Sequence, residues 1–308
     1  MFLSFLPTES WMVLAVLGAA LVGIGNSGEK VLSIRYMPDA TTLMLWLAVS
    51  LIIYSVIFAI LYPFDESVPG SHIIAIFGSG VMYGIAITIL YRILRTTDAS
   101  IIFSIFNTSP IFVAIFALLL LDQLLTFSQW GSIILVVLGI MILSREPSEL
   151  NKKPKIYVVM ALIICAGLAG LSQVASSYAL TEVTPENGFW AQRIGALLPI
   201  LFNLKRNSFG KFWDTVKQPR ILIFVLLVEA VIMPLGHLSF LTAMKIGHSV
   251  ALVSALFGTV PLWVFVISTV LSTGKLKILS ENINPRRLFM KSIAITVTVL
   301  GIVGITLL

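Results

Sequence analysis

A carboxylate stands in the middle of an apolar run in the second half of the chain. Glu229 falls within LLVEAVIMPLG, inside the apolar segment 221–243. If that segment crosses a membrane, an ionisable side chain at this depth is costly. We therefore expect Glu229 to be protonated, to pair with a cation or to face a wet cavity. We favour a functional role for Glu229 over a structural hydrogen bond.

Polar residues elsewhere could share a site with Glu229. His237 follows about two helical turns later on a similar face, where it is either a hydrogen-bonded packing residue or a proton carrier. Pro234 lies between them, removes a backbone donor and loosens the helix. The other candidates for lining a substrate cavity are Gln173, Tyr83 and Asn107.

Two cations also lie in or near apolar runs. Arg193 is about two turns into the predicted seventh helix, within GFWAQRIGALLPI. We favour a structural ion pair for Arg193, with Glu229 or Glu186 as its partner. Lys30 follows Glu29 near the end of the first helix, where we expect both side chains to reach the interface by snorkelling.

Two prolines interrupt apolar runs at equivalent places. Pro110 and Pro261 each lack a backbone N–H, which bends a helix and frees carbonyl groups on its N-terminal side. We interpret both as structural bends rather than as parts of a substrate path. The sequence has no metal-spaced His and Cys cluster, phosphate loop or serine elbow, so we expect neither an enzyme nor a bound metal or cofactor.

The composition indicates that lipid surrounds these residues. Hydrophobic residues make up 58% of the 308 and charged residues only 11%, so one soluble core cannot hide the apolar surface. The pattern predicts an all-α integral membrane protein with ten transmembrane helices. They are expected near 11–34, 42–62, 72–91, 100–121, 127–143, 155–178, 188–204, 221–243, 249–271 and 289–308. The longest connecting segments, 205–220 and 272–288, are polar without apolar periodicity.

The distribution of Lys and Arg predicts the orientation. All but three of the 20 basic residues follow odd-numbered helices; the exceptions are Lys30, Arg193 and Lys245. Because basic loops stay in the cytoplasm, we predict that those loops are cytoplasmic and that both termini lie outside. We expect a multi-pass protein of the cell membrane, inner or plasma, and no cleavable signal. No nucleic-acid-binding motif accompanies the net charge of +6.

The second half of the chain repeats the layout of the first. Placing Pro110 over Pro261 aligns TTDASIIFSIFNTSPIFVAI with KIGHSVALVSALFGTVPLWVFV, and VVLGIMIL then matches TVLGIVGI. Residues 1–150 and 151–308 are each predicted to form a five-helix unit. Because five is odd, the second unit enters the membrane from the opposite face, which makes two inverted repeats.

These motifs resemble the EamA-type family of the drug/metabolite transporter superfamily over essentially the whole chain. The first half shares with that family a small residue, a proline and an acidic residue at Ala99, Pro110 and Asp122. The spacing from Pro185 to Arg193 also resembles the family pattern, whereas the same spacing from Pro38 reaches Trp46. Members commonly keep both termini in the cytoplasm, opposite to the orientation that the basic loops predict.

The resemblance implies a secondary transporter that moves a small polar or amphipathic metabolite by alternating access. Export of an amino acid or related compound is the family-level expectation. The alternative within carriers is a nucleotide-sugar or nucleobase carrier, and the alternative outside them is a non-transporting membrane sensor or partner, or a lipid-handling protein. The expected partners are a small-molecule substrate and the lipid bilayer, without nucleic acid, and a homodimer is compatible with the sequence.

Overall fold

The chain is all helical in the computed structural model, over the described residues 10–37, 40–93, 97, 99–144, 155–202, 208–272 and 285–307. The first half contains α1 (Ser10–Arg35), α2 (Ala40–Leu61), α3 (Gly70–Ile93), α4 (Ala99–Phe106), α5 (Ser109–Leu121) and α6 (Phe127–Ser144). The second half contains α7 (Ile156–Ala179), α8 (Pro185–Leu201), α9 (Ser208–Val216), α10 (Pro219–Val225), α11 (Met233–Ile246), α12 (Val250–Phe257), α13 (Val260–Ser272) and α14 (Pro285–Leu307). A π-helical turn, Leu226–Ile232, joins α10 to α11.

Within the described residues, 9 helical segments are long and apolar enough to cross a membrane. They correspond to nine of the ten predicted helices, with α4 and α5 together forming the fourth. The eighth consists of α10, the π turn and α11, and the ninth consists of α12 and α13. The predicted seventh helix is α8, which has only 17 residues. Ten membrane crossings and an inverted repeat therefore stay predictions.

The start of α8 lies three residues before its predicted start at position 188. Pro185 occupies the first turn, where its missing N–H is not needed by the helix. Thr184 caps that turn, since its Oγ1 accepts a hydrogen bond from the backbone N–H of Asn187 at 3.3 Å. These two local signals extend the helix towards its N-terminus and place Glu186 in its first turn.

Large apolar side chains point away from the helix bundle over much of its surface. Ile60 and Ile74 are each 74% exposed, and Leu119 is 67% exposed. In water such a surface would be unfavourable, whereas lipid tails solvate it at no cost. The outer face of the bundle therefore suits a bilayer, in agreement with the predicted multi-pass class.

The fourth and ninth predicted helices are interrupted rather than merely bent. Residues 107–108 separate α4 from α5, and residues 258–259 separate α12 from α13, with Pro110 and Pro261 at the second position of the helix that follows. The two breaks lie near each other. A Cβ built on Gly258 would be 3.3 Å from Cγ of Pro110, so the backbone of one break contacts the proline of the other.

The two breaks share their hydrogen bonds as well as their position. In each, a threonine hydroxyl donates to the carbonyl three residues earlier: Thr108 to Ile105 and Thr259 to Leu256, both at 2.7 Å. In each, the threonine carbonyl then accepts from the backbone N–H three residues later, at 3.0 Å and 2.9 Å respectively. The repeated sequence thus produces a repeated local structure.

Several helix contacts between the two halves are reciprocal, although the extensive packing of α3 on α8 has only a small counterpart, between α2 and the π turn. Helix α1 packs on α11, α12 and α13 of the second half, while α7 packs on α3, α4 and α5 of the first half. Helix α6 packs on α14, and α2 packs on α8. Exchanging each helix for its counterpart in the other half leaves these reciprocal contacts unchanged.

Segment 205–220 differs from its prediction. Instead of lacking periodicity, it contains the amphipathic helix α9, which packs on α2. Phe212 and Thr215 are buried three residues apart, so they share one face. The periodicity was hidden because α9 is short and its apolar residues are separated by Gly, Lys and Asp.

The acidic residue that resembles the family motif ends a helix. Asp122 follows α5 with φ 52°, in the left-handed region, and its backbone N–H donates to the carbonyl of Ala117. Gln123 then reaches the other half of the chain, where its Oε1 accepts from the backbone N–H of Val250 at 3.1 Å. This turn therefore terminates one helix and caps the start of α12.

Candidate functional site

Glycines let the first helix approach the π turn closely. A Cβ on Gly28 would lie 2.7 Å from Cγ2 of Val228, and a Cβ on Gly25 would lie 2.3 Å from Sδ of Met233. No side chain fits at either position without displacement of its neighbour. The backbone of α1 is thus held against the segment that carries Glu229.

The π turn has a local cause in Pro234. This proline has no N–H to donate to the carbonyl four residues earlier, and its ring crowds that carbonyl. The chain widens instead, and the N–H of Met233 donates to the carbonyl of Val228, five residues back. Single π turns of this kind occur frequently at functional sites. Glu229 lies within the widened turn and is only 2% exposed.

The side chain of Glu229 forms a hydrogen bond with that of Glu29 on α1. Carboxylates only accept hydrogen bonds, so two carboxyl groups can bond to each other only if one of them carries a proton. The pair therefore holds at least one proton in this arrangement. The Oε1 atom of Glu229 is buried and has no partner among the described residues.

Arg193 is buried on α8, with 6% of its surface exposed. Its guanidinium carbon lies 5.6 Å from the ring centre of Phe189, within the range of a cation–π contact. Its Nε has no hydrogen-bond partner in the described part of the chain. The predicted partners Glu186 and Glu229 do not satisfy this donor, and the ion pair stays a prediction.

Two tyrosines interact electrostatically with both the arginine and the carboxyl pair. Tyr54 on α2 is buried and interacts electrostatically with Arg193, Glu229 and Glu29. Tyr83 on α3 interacts with Arg193 and Glu29, and also with Tyr54. The phenol groups can both donate and accept hydrogen bonds, so they suit a position between groups of opposite charge.

His237 extends this arrangement along α11. Its Nδ1 lies 2.8 Å from the carbonyl of Met233 and donates to it, which leaves Nε2 as an acceptor. The imidazole also interacts electrostatically with Arg193 and lies 6.3 Å, centre to centre, from the ring of Phe257 beside the helix break. We call the whole set the central cluster: Glu29, Tyr54, Tyr83, Arg193, Glu229 and His237.

Three other predicted residues, Gln173, Asn107 and Lys30, are not members of the central cluster. Gln173 on α7 is half-buried and its Oε1 has no partner among the described residues. Asn107, in the first helix break, donates weakly to the hydroxyl of Ser144 at 3.4 Å. Lys30 is exposed beside Glu29.

Two members of the central cluster were not predicted from the sequence. Glu29 was interpreted with Lys30 as an interfacial side chain, but it faces Glu229. The available signal was spacing: Glu29 follows Gly25 by four residues, so it shares the face on which the glycines allow close approach. Tyr54 gave no signal, because a tyrosine near the middle of an apolar helix is ordinary.

Within the described residues, no three His, Cys, Asp or Glu side chains are grouped as metal ligands. The chemistry that the central cluster can perform is proton transfer and the binding of charged groups. Its carboxyl pair can release a proton or accept a cationic group. The unpartnered Nε of Arg193 can donate to an anionic or polar group.

Comparison with known proteins agrees with the membrane class. The EamA-like transporter family matches residues 9–145, which confirms the predicted family resemblance over those residues. Among solved structures, 28 chains match. One of them, described only as "Crystal structure of protein", has a TM-score of 0.65 at 14% sequence identity, with 97% of this chain and 96% of that chain covered. At that identity the likeness shows a shared fold alone. No curated protein sequence matches the chain.

Proposed function

We propose that this chain, whose residues 9–145 match the EamA-like transporter family, is a secondary transporter that works by alternating access. The family match and the apolar helices support a multi-pass membrane transporter. The single observation that carries the finer proposal is the hydrogen-bonded Glu29–Glu229 pair, which joins α1 of the first half to the π turn of the second. A proton at such a junction can be exchanged when the halves move.

The reciprocal helix contacts support an inverted repeat as the moving architecture. Helices α1 and α7 each insert into the opposite half, and the two broken helices meet at Gly258 and Pro110. A pseudo-two-fold axis in the membrane plane would relate these features. Motion of one half against the other would then expose the central cluster first to one side and then to the other.

The substrate that we propose is a small polar or amphipathic metabolite, such as an amino acid or a related compound, moved outwards. Such a molecule carries cationic and anionic groups together. The carboxyl pair provides acceptors for the first, and Arg193 provides donors for the second, while Tyr54 and Tyr83 interact electrostatically with both. Proton release from the pair when the cationic group binds would couple the two fluxes.

A metabolite screen followed by a flux assay tests this proposal. A ligand that binds only the folded protein raises its melting temperature, so purified protein is first screened against metabolites by thermal shift. The ligands found are then offered to liposomes that contain the protein. We expect uptake that saturates with concentration and is absent from empty liposomes. Binding without saturable uptake would contradict transport and identify a sensor instead.

A further inference from the structure

Helix α9 lies between α8 and α10, in the connection that leads to the eighth membrane helix. One of its faces is fixed to α2. The indole Nε1 of Trp46 donates to Oγ1 of Thr215 at 2.9 Å, and the rings of Trp46 and Phe212 are 4.8 Å apart, centre to centre. Helix α9 therefore packs against α2 through this face.

A neighbouring face of α9 is aromatic and exposed. Phe209 is 48% exposed and Trp213 is 58% exposed, and their spacing of four residues places them on one stripe. Lys217 continues the stripe one turn later and is also exposed. Aromatic side chains next to a basic residue are typical of helices that lie in a membrane interface.

The charge around α9 is strongly positive. Segment 205–220 contains the basic residues Lys205, Arg206, Lys211, Lys217 and Arg220, and its one acidic residue is Asp214. On the helix, Asp214 lies on the side turned away from Phe209 and three residues before Lys217, and the segment keeps a net charge of +4. A surface of this kind complements the headgroups of anionic lipids.

We propose that α9 is an interfacial anchor whose stripe of Phe209, Trp213 and Lys217 inserts among the headgroups of anionic lipids. Two residues, Lys217 and Gln218, connect this anchor to α10 and so to the π turn that carries Glu229. Anionic lipid would therefore hold the end of the eighth helix against α2. This inference is independent of the substrate and of the proposed transport.

The depth of α9 in a bilayer provides the first test. In a Cys165→Ser background, single changes Phe209→Cys and Asp214→Cys receive a nitroxide label, and the full-length protein is reconstituted into phosphatidylcholine–phosphatidylglycerol vesicles. Relaxation by oxygen and by a water-soluble nickel complex then reports the depth of each label. We expect the label at 209 to lie below the headgroups and the label at 214 to lie in water. Equal exposure of both labels to water would overturn the anchor.

The charge requirement provides the second test. The melting temperature of the reconstituted protein is followed as the phosphatidylglycerol content rises. Each basic residue near an anionic surface contributes about 1 kcal/mol, so Lys217→Gln should require about fivefold more phosphatidylglycerol for the same stabilisation. Lys217→Arg keeps the charge and should behave as the unchanged protein. A melting temperature independent of phosphatidylglycerol, or an equal effect of both changes, would overturn the proposal.

Discussion

At the scale of single residues, the central feature is the hydrogen bond between the carboxyl groups of Glu29 and Glu229, of which Glu229 is buried. If both were ionised, two like charges would face each other in a poorly solvated setting, and the pair would separate. Tyr54 and Tyr83 interact electrostatically both with this pair and with the Arg193 guanidinium. The protonation of the pair and the packing of α1 on the π turn are therefore linked.

The shared proton can be observed directly. Infrared spectra of the purified protein at neutral pH should contain a band from a protonated carboxyl group that shifts in heavy water. Glu29→Gln and Glu229→Gln should each remove this band, because the remaining carboxylate accepts a hydrogen bond from the new amide and needs no proton. Glu66→Gln, in an exposed loop, is the control and should leave the band unchanged. A spectrum with carboxylate bands alone would contradict a shared proton.

The sequence identified one half of this pair and missed the other for a physical reason. Glu229 is recognisable because it interrupts a long apolar run, where any charge is unusual. Glu29 stands near a helix end beside Lys30, where charges are common. Its contact with Glu229 depends on how closely another helix approaches, and that approach is set by Gly25 and Gly28 together with a π turn about 200 residues away.

At the scale of elements, the close packing of α1 on the π turn positions the carboxyl pair. Gly28→Val should force Val228 away and cost about 1–3 kcal/mol, as overpacking of a filled interface does. It should also remove the protonated-carboxyl band, because the helices separate beside Glu29. Thermal melting and the infrared spectrum measure the two effects.

A matched glycine on another helix serves as the control for that change. Gly78 on α3 has no atom within 4 Å of a Cβ built on it. Gly78→Ala should therefore be neutral or stabilise the protein by up to about 1 kcal/mol through helix propensity. If Gly28→Val melts no earlier than Gly78→Ala and keeps the band, the packing does not position the pair.

Some of these helices could be predicted from sequence patterns, and others could not. Within the described residues, apolar runs locate the nine long helical segments well, because lipid requires each of them to be long and apolar. Pro110 and Pro261 predict a disturbance but not its extent, since complete interruption depends on the threonine hydrogen bonds in both breaks. The amphipathic α9 is shorter than any span and was not predicted.

At the scale of the whole molecule, orientation follows from the loop charges. The basic loop around Ser148 should lie in the cytoplasm, and the C-terminus should lie outside, although both lie beyond the described residues. Single cysteines at Ser148 and on a C-terminal extension of a Cys165→Ser chain should then label oppositely in intact cells. Cys165→Ser alone, which has no cysteine, gives the background. Labelling of Ser148→Cys from outside, with the C-terminus protected, would reverse the orientation.

At the same scale, we propose that proton movement drives solute movement. The measurement that tests it most directly is accumulation of a bound metabolite by liposomes under an imposed pH gradient. Unchanged protein and Glu66→Gln should accumulate the metabolite above its equilibrium level. Glu229→Gln should still bind the same metabolite in the thermal-shift assay, because Glu29 and Arg193 remain, yet fail to accumulate it. Accumulation by Glu229→Gln equal to that of the unchanged protein, across the pH range, would contradict the account.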